Sequence, residues 1–380
     1  MRVNALKSVD LPTFGRPTIP ARSTAEVYDR AAVRLAINSL VIGLPVAIAS
    51  RLLHGPDWLT LAASAISLLP LAGWIGTATE HAASRMGPGL GGLLNATFGN
   101  AAELIIAIFA LRRGLVDLVK ASLTGSIIGN TLLILGLSAF VGGLKHGTQK
   151  FSVKPTGRHA AMMILAISAM ALPAVFATVE HDAFVREEVS IGVAVLLLLT
   201  YAAYVYFSYF SRQRDREPET VLDEDRRETW SIRKSLLVLA GAVAGTAVAS
   251  ELLVHAVEPV SRAAGISQLF LGLILIPIVG NAAEHYSAIV FASRNKMDLS
   301  LSVAANSSTQ IAVFVAPLLV LISSFFRPMD LIFQPIELVT LFASSAIFAY
   351  ISLDGETNWL EGIQLIALYA LIGIAFYFVA

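Results

Sequence analysis

The amino-acid sequence predicts an all-α polytopic membrane protein with about eleven transmembrane helices, in which two inverted five-helix repeats follow an extra first helix. Three observations predict this fold class. The 380 residues are 56% hydrophobic and 14% charged, whereas a soluble domain has roughly 25% charged residues. Apolar runs recur that reach the length of about 20 residues needed to cross a bilayer. Finally, two nearly identical polar pentapeptides lie within apolar runs in the two halves of the chain.

The chain divides into five parts. Residues 1–30 are polar and have no apolar segment, so we expect a disordered cytoplasmic tail, or a misassigned start, and not a signal peptide. The other parts are an extra first helix at 31–53, a five-helix repeat at 57–210, a charged linker at 211–233 and a second five-helix repeat at 234–380. The predicted spans are 31–53, 57–83, 88–111, 116–143, 158–179, 188–210, 234–256, 267–293, 299–325, 335–353 and 358–379.

The distribution of basic residues predicts the orientation. With the N-terminus in the cytoplasm, 20 of the 27 Lys and Arg residues lie on the cytoplasmic side and 7 on the other side. Cytoplasmic loops carry the excess of Lys and Arg, so this orientation is favoured and the C-terminus is outside. Short loops and the absence of transit features fit an integral protein of a bacterial inner membrane.

The linker at 211–233 interleaves acidic residues with arginines. We interpret it as a solvated mixed-charge cytoplasmic segment. A cytoplasmic cation sensor is the alternative, although the arginines partly neutralise the acidic charge.

Composition and motifs limit the function classes. The chain has no cysteine and a formal net charge of zero, which excludes thiolate chemistry and gives no reason to expect nucleic-acid binding. No HExxH motif and no GxxxxGK[ST] motif occurs, so neither a zinc hydrolase nor an ATP-driven pump is predicted. We therefore expect a transporter and not an enzyme. A channel could also use intramembrane glutamates, but neutralisable acids in inverted repeats favour a carrier.

The two pentapeptides, GNAAE at 99–103 and at 280–284, carry the strongest functional signal. Each places a glutamate, Glu103 or Glu284, inside an apolar run. A charged side chain at the bilayer centre costs at least about 2.5–3.5 kcal/mol, so such a residue is functional by default. Five is an odd number of helices, so the second repeat enters the membrane with the opposite orientation, and the two acids should face each other near the midplane.

The neighbours of each glutamate suit a hard cation. Asn100 and Asn281 each precede a glutamate by three residues and so share its helical face. Gly99 and Gly280 let the helix loosen and expose backbone carbonyls, and Pro277 removes one more backbone donor. Two carboxylates, amide oxygens and free carbonyls form an all-oxygen cage, which is the ligand set of Ca²⁺.

The helices that follow the pentapeptides also repeat. Residues 121–133 correspond to 301–313, and both segments contain polar residues in apolar surroundings. These polar residues are Ser126, Asn130, Asn306, Ser308 and Gln310. They either join helices by hydrogen bonds or surround the ligands of the cation, and Asn130 and Gln310 are included in the candidate site.

Further titratable residues lie near the predicted site. Glu80 and Glu251 each sit in the helix before a pentapeptide, where either could be a gate or a proton relay. For Glu80, a solvated glutamate at the level of the headgroups is equally well supported, and Glu251 is expected to lie deeper. His285 could carry a proton, although a histidine with an ordinary hydrogen bond is at least as well supported. Glu337 and Glu361 are expected at the membrane interface.

Several motifs, in the same order, resemble the cation/proton exchanger branch of the Ca²⁺/cation antiporter superfamily. They are LLNATFGNAAELIIAI (93–108), LILIPIVGNAAEHYSAIV (273–290), ATEHAASRMG (78–87), GGLKHGTQKF (142–151), SELLVHAVEP (250–259) and DGETNWLEG (354–362). The resemblance covers roughly 31–380 and implies Ca²⁺/H⁺ antiport. It implies that Glu103 and Glu284 are the exchanging carboxylates, with Asn100, Asn281 and Gln310 around them.

The expected partners are therefore Ca²⁺, protons and the lipid bilayer, with no cofactor other than the transported ions. An exchanger of Na⁺, K⁺ or Mn²⁺ for protons is the alternative on the same architecture. The linker departs from the markedly acidic linker of many family members, because here arginines are mixed into it.

Overall fold

The computed structural model describes residues 36–215 and 230–379. The predicted tail at 1–30 and residues 216–229 of the predicted linker lie outside the described residues. The chain forms two units, Met1–Ser39 and Leu40–Ala380. Every feature discussed below belongs to the second unit.

The second unit is almost entirely helical. Its α-helices are α1 (Gly43–Leu52), α2 (Asp57–Phe98), α3 (Ala101–Arg112), α4 (Val116–Ile128), α5 (Leu135–His146), α6 (Val153–Phe176), α7 (Ala183–Asp215), α8 (Ile232–Ala264), α9 (Gln268–Phe270), α10 (Ile276–Gly280), α11 (Ala282–Ala292), α12 (Met297–Gln310), α13 (Ala316–Ser323), α14 (Pro335–Asp354) and α15 (Trp359–Phe378). A 3-10 turn at Leu40–Ile42 precedes α1, and π-helical segments occupy Gly129–Ile134, Leu271–Leu275 and Ile311–Val315.

The number of membrane-crossing helices differs from the eleven predicted. Among the described residues, eight helices are long and apolar enough to cross a membrane, or nine if the bent pair Gln268–Gly280 and Ala282–Ala292 is one span. The predicted first span contributes only a short apolar helix that ends at Leu52. At the predicted boundary at 84–87, the apolar span ends at Met86, whereas the helix α2 continues unbroken to Phe98. Proline and glycine residues in this stretch are tolerated, as they are in other membrane helices.

Two long helical rods form the centre of the molecule. The apolar windows of Val116–His146 and Met297–Ser323 are each 72% buried, whereas that of Ala183–Phe207 is 22% buried. The central rods carry the polar residues of the two repeated segments. A membrane helix that is buried in protein can hold polar side chains that would be costly against lipid, so this arrangement explains where those residues occur.

Gly125 permits a close approach between α4 and the π-helical segment Leu271–Leu275. A Cβ atom at this position would overlap the backbone carbonyl oxygen of Leu273. Small residues allow helix backbones to approach in this way. At this contact, the central rod that carries Asn130 packs against the segment that leads into the second pentapeptide.

We expect Gly125→Ala to lower the free energy of unfolding by about 1–3 kcal/mol, because the added methyl group overpacks this contact. The measurement is thermal or denaturant unfolding of the purified protein. Gly129→Ala is the matched control, since no described atom outside the local backbone of its own helix lies within 4 Å of the position of its Cβ. Equal stabilities of the two variants would contradict the prediction.

A two-stranded ribbon closes one end of the helical bundle. Strand β1 (Gln149–Lys150) pairs antiparallel with β2 (Glu356–Thr357), with Gln149 opposite Thr357. The buried Gln149 side chain donates from Nε2 to the carbonyl oxygen of Ala292 over 2.9 Å. The ribbon thus joins the motifs at 142–151 and 354–362 to the end of α11.

Glu337 is held by specific contacts at the start of α14. It is 1% exposed and therefore buried against the protein, and its position at the level of the membrane interface stays a prediction. Its carboxylate accepts hydrogen bonds from the backbone N–H of Gln334 over 2.9 Å and from the Thr124 hydroxyl over 3.3 Å. Nearby, Lys120 pairs with Asp330. This carboxylate caps the first turn of α14, which accounts for its burial.

Candidate cation-binding site

Both pentapeptides interrupt a helix at their asparagine. Asn100 separates α2 from α3 with φ −111° and ψ 29°, and Asn281 separates α10 from α11 with φ −96° and ψ 15°. The chain bends by 64° at the second break. Because the first turn of each following helix begins at the break, Glu103 and Glu284 both lie in a first turn. The unpaired N–H groups and the positive dipole end of such a first turn stabilise negative charge.

Prolines and π-helical turns widen the helices around these breaks. Pro277 and Pro317 each follow a π-helical segment and occupy the first turn of the next helix. A proline cannot donate to the carbonyl four residues earlier, so a wider turn there relieves the mismatch. The segment Gly129–Ile134 contains Asn130, and Ile311–Val315 begins immediately after Gln310. Such π-helical turns frequently accompany functional sites, and the sequence analysis did not predict them.

Glu103 lies against the break of the opposite half of the chain. A Cβ atom on Gly280 would be 3.2 Å from Cγ of Glu103. Glu103 is 7% exposed, and its Oε1 atom is buried without a hydrogen-bond partner among the described residues. Glu284, four residues after Gly280 in the same pentapeptide, is half-buried. The structure therefore places Glu103 against the pentapeptide that carries Glu284.

Amide side chains link the two breaks to the central rods. Asn100 donates from Nδ2 to Oε1 of Gln310 over 2.6 Å. Asn281 donates from Nδ2 to the Ser126 hydroxyl and to the carbonyl oxygen of Pro277, both over 3.1 Å. In each half, the asparagine therefore uses its N–H₂ group within the protein. Its carbonyl oxygen is directed elsewhere, towards a single serine.

That serine is Ser307, which the sequence analysis missed. Its hydroxyl lies 3.4 Å from Oδ1 of Asn100 and 3.3 Å from Oδ1 of Asn281. It also accepts a hydrogen bond from Nδ2 of Asn130 over 3.0 Å. In the repeat, Ser307 corresponds to Ile127, so comparing the two halves did not identify it. A hydroxyl has one proton to donate, so Ser307 can satisfy only one of the two asparagine oxygens at a time.

His285 and Ser308 make ordinary hydrogen bonds. His285 is 8% exposed, and its Nε2 lies 3.2 Å from Oδ1 of Asn130. The Ser308 hydroxyl donates to the carbonyl oxygen of Ala304 within its own helix, over 3.0 Å. His285 is therefore connected to the site through Asn130, whereas Ser308 serves its own helix.

The two predicted gate residues do not differ in exposure. Glu80 and Glu251 are both exposed, so Glu251 is not buried as a deeper position would suggest. Gly99 is half-buried next to Asn100 at the first break. Exposure therefore does not favour one of the two glutamates as the gate.

The centre of the molecule is thus rich in side-chain oxygen atoms. It contains two carboxylates, amide oxygens and a hydroxyl, while no group of three or more His, Asp and Glu side chains in the described part of the chain could hold a metal ion. A cation bound here would need neutral oxygens beside the two glutamates. Carboxylate, amide and backbone oxygens are ligands typical of Ca²⁺.

Comparison with known proteins identifies the family of the chain. The profile of the sodium/calcium exchanger protein family matches residues 56–210 and 234–378. The chain belongs to this family. Sodium/calcium exchanger proteins are transporters, which confirms that the chain is not an enzyme. The resemblance to the cation/proton exchanger branch, stated from the motifs, is also confirmed.

Individual members of the sodium/calcium exchanger family match over most of their length. The Ca²⁺/H⁺ antiporter ChaA of Bacillus subtilis is 42% identical over 88% of this chain and 96% of its own length. A Ca²⁺/H⁺ antiporter of Synechocystis is 41% identical over 89% of this chain and 96% of its own. The crystal structure of the Ca²⁺/H⁺ antiporter protein YfkE superimposes with a TM-score of 0.78 at 40% identity, covering 91% of this chain and 99% of that chain.

Proposed function

We propose that this protein is a secondary active antiporter that exports Ca²⁺ from the cytoplasm in exchange for protons. The observation that carries the proposal is the meeting of Glu103, from one half of the chain, with the break at Gly280 in the other half. The names of the bacterial relatives support the same transported ions. No cofactor is required beyond the transported ions.

The proposed mechanism is competition between Ca²⁺ and protons for the same carboxylates. When the site faces the cytoplasm, Glu103 and Glu284 release protons and bind Ca²⁺; when it faces the other side, protons displace the ion. Burial disfavours the ionised form of a carboxylate, and a bound cation favours it. The protonated and the Ca²⁺-bound sites are therefore both neutralised, whereas two bare buried charges are costly. Because of that cost, the empty ionised site does not change orientation readily, so coupled exchange is favoured over uncoupled leak of ions.

The amide oxygens complete the proposed coordination. Asn100, Asn281, Gln310 and Asn130 supply neutral oxygens, and the loosened backbone at Gly99 and Gly280 exposes carbonyl groups. When Ser307 donates to one asparagine, the carbonyl oxygen of the other is free to bind the ion. His285 holds Asn130 in position or itself carries a proton. Glu80 and Glu251, which are both exposed, are the entrance residues of the two halves.

We further propose that the chain is an inverted repeat of two five-helix units, 57–210 and 234–380, after a first helix, with eleven spans in total. The two stretches matched by the family profile support this division. The excess of basic residues supports a cytoplasmic N-terminus, a cytoplasmic linker and an outside C-terminus. The bacterial relatives support a plasma-membrane location.

The test is transport by the purified protein in proteoliposomes with an imposed pH gradient. We expect Ca²⁺ movement that follows the proton gradient and stops when an uncoupler collapses it. Na⁺, K⁺ and Mn²⁺ are added separately, first as competitors and then as sole substrates. If Ca²⁺ remains in place while one of these ions exchanges for protons, the proposed substrate is wrong although the fold is unaffected.

A further inference from the structure

The turn between α11 and α12, at residues 293–296, is held by a side chain from the first half of the chain. Gln149, on β1, donates from Nε2 to the carbonyl oxygen of Ala292 over 2.9 Å and to Oδ1 of Asn295 over 3.0 Å. Asn295 has φ 59°, a left-handed conformation that asparagine adopts more readily than most residues. Gln149 therefore contacts both the last residue of α11 and a residue of the turn itself.

Two further hydrogen bonds join the same two segments. The Nε2 atom of His146 lies 3.0 Å from the carbonyl oxygen of Ser293, and because a carbonyl oxygen only accepts, the ring is the donor. The backbone N–H of Ser152 donates over 2.6 Å to Oδ1 of Asp298, in the first turn of α12. We refer to these four hydrogen bonds, made by His146, Gln149 and Ser152, as the clasp.

The space around Gln149 fits this side chain closely. Gln149 is 1% exposed. A Cβ atom on Gly142, in α5, would overlap Oε1 of Gln149 and would lie 3.0 Å from the carbonyl oxygen of Ala292, so a larger residue at position 142 would displace the Gln149 amide. Its Oε1 atom has no hydrogen-bond partner among the described residues. The amide of Gln149 is thus fixed by what its N–H₂ group donates.

The helix that carries the clasp is itself packed tightly against α15. A Cβ atom on Gly143 would overlap the backbone nitrogen of Trp359, and one on Gly362 would overlap the backbone nitrogen of Phe140. Small residues allow helix backbones to come this close. The clasp therefore attaches the turn between α11 and α12 to a closely packed pair of helices.

The two helices joined by this turn supply side chains of the candidate site. Glu284 lies on α11, and Ser307 and Gln310 lie on α12. Because α11 begins at the second break, its first turn does not continue a straight helix, and its orientation depends on what holds its far end. The carbonyl groups of Ala292 and Ser293 are successive and so lie about 100° apart around the helix. Donors to both of them fix the rotation of α11 about its axis.

We propose that Gln149 is a positioning residue for cation binding, which through the clasp fixes the rotation of α11 and hence the direction of Glu284. The inference rests on the proposed Ca²⁺/H⁺ antiport. Glu284 lies eight residues before Ala292, about 12 Å along the helix, so Gln149 acts through α11 and does not touch the ion. Side chains of a binding site have to be held within about 0.5 Å of their working geometry, so loosening the clasp weakens Ca²⁺ binding.

The test is initial Ca²⁺ flux into proteoliposomes as a function of Ca²⁺ concentration for Gln149→Met. Methionine resembles glutamine in length and volume but has no donor. We expect the KM for Ca²⁺ to rise about tenfold, the equivalent of one or two hydrogen bonds. We expect kcat per folded protein to stay within about twofold. A purely structural role would reduce the amount of folded protein and leave the KM unchanged. Lys150→Met is the matched control, because Lys150 is the exposed neighbour on the same strand.

A second variant removes one of the same hydrogen bonds from the other side of the clasp. Asn295→Gly deletes Oδ1, and glycine adopts the positive φ of this position freely. We expect its KM to rise in the same direction, and the double variant Gln149→Met/Asn295→Gly to have the KM of Gln149→Met alone, because the shared bond is already lost. An unchanged KM in Gln149→Met, or fully additive effects of the two substitutions, would overturn the proposal.

The unaltered protein separates this proposal from the proposed function. If it shows no proton-driven Ca²⁺ flux, the proposed substrate is wrong, and the KM of each variant is measured for the ion that does exchange for protons. If the unaltered protein transports Ca²⁺ and Gln149→Met has the same KM, the antiport stands and the role of the clasp is wrong.

Discussion

Replacing Glu103 or Glu284 by glutamine is expected to abolish proton-driven Ca²⁺ transport. Glutamine keeps the shape of glutamate and one carbonyl oxygen, but it can neither take up a proton nor neutralise a divalent cation. With one carboxylate left, the site no longer matches the charge of Ca²⁺. The measurement is Ca²⁺ flux into proteoliposomes under an imposed pH gradient, with the unaltered protein and both variants compared at equal protein density.

Whereas Glu103→Gln is expected to abolish transport, it is not expected to lower the stability of the protein. Glu103 is buried, with Oε1 unpaired among the described residues, and an unpaired buried carboxylate costs free energy. Without Ca²⁺, Glu103→Gln should therefore melt at the same temperature as the unaltered protein or higher. Glu188→Gln is the control for transport, because Glu188 is an exposed residue of α7. A lower melting temperature together with residual coupled transport would indicate a structural role for Glu103.

Ser307→Ala is expected to raise the KM for Ca²⁺ about tenfold, the equivalent of losing one or two hydrogen bonds. The Ser307 hydroxyl is within reach of both Asn100 and Asn281, and it accepts a hydrogen bond from Asn130. Its loss removes the contact that holds the asparagines of the two halves in one arrangement. The assay is initial flux as a function of Ca²⁺ concentration.

The adjacent serine provides a close control for this prediction. Ser308 is completely buried, and its hydroxyl bonds only to the backbone of its own helix among the described residues. Ser308→Ala should therefore leave the KM for Ca²⁺ within about twofold of the unaltered value, since serine and alanine differ little in a helix. If both variants change the KM equally, the effect comes from helix packing and not from the contact between the two halves.

Much of the site could be predicted from the sequence, because the two halves provide independent copies of one pattern. Glu103 and Glu284 occur in the same pentapeptide, and an acid in an apolar run is too costly to occur without a function. The same pentapeptides contain the asparagines at which the structure interrupts both helices. Asn130 and Gln310 stood out for the same reason, as polar residues in helices that must be buried.

Other features depended on contacts between distant residues. Ser307 had no counterpart in the repeat, and only the packing of α12 between the two breaks shows that its hydroxyl reaches both asparagines. The sequence did not predict that Glu337 is buried against Thr124, which is 213 positions away in the chain. The true end of α2 at Phe98 was not apparent either, because backbone hydrogen bonding decides where a helix ends and hydropathy does not.

The sequence by itself therefore determined the membrane location, the helical class, the family and the two central carboxylates. These follow from the cost of charge in hydrocarbon and from the need to satisfy every backbone group in a membrane, which act on each segment separately. The tertiary structure decided which residues come into contact: Glu103 with Gly280, and Ser307 with two asparagines. Such contacts depend on how helices far apart in the chain pack, and no local sequence pattern encodes that packing.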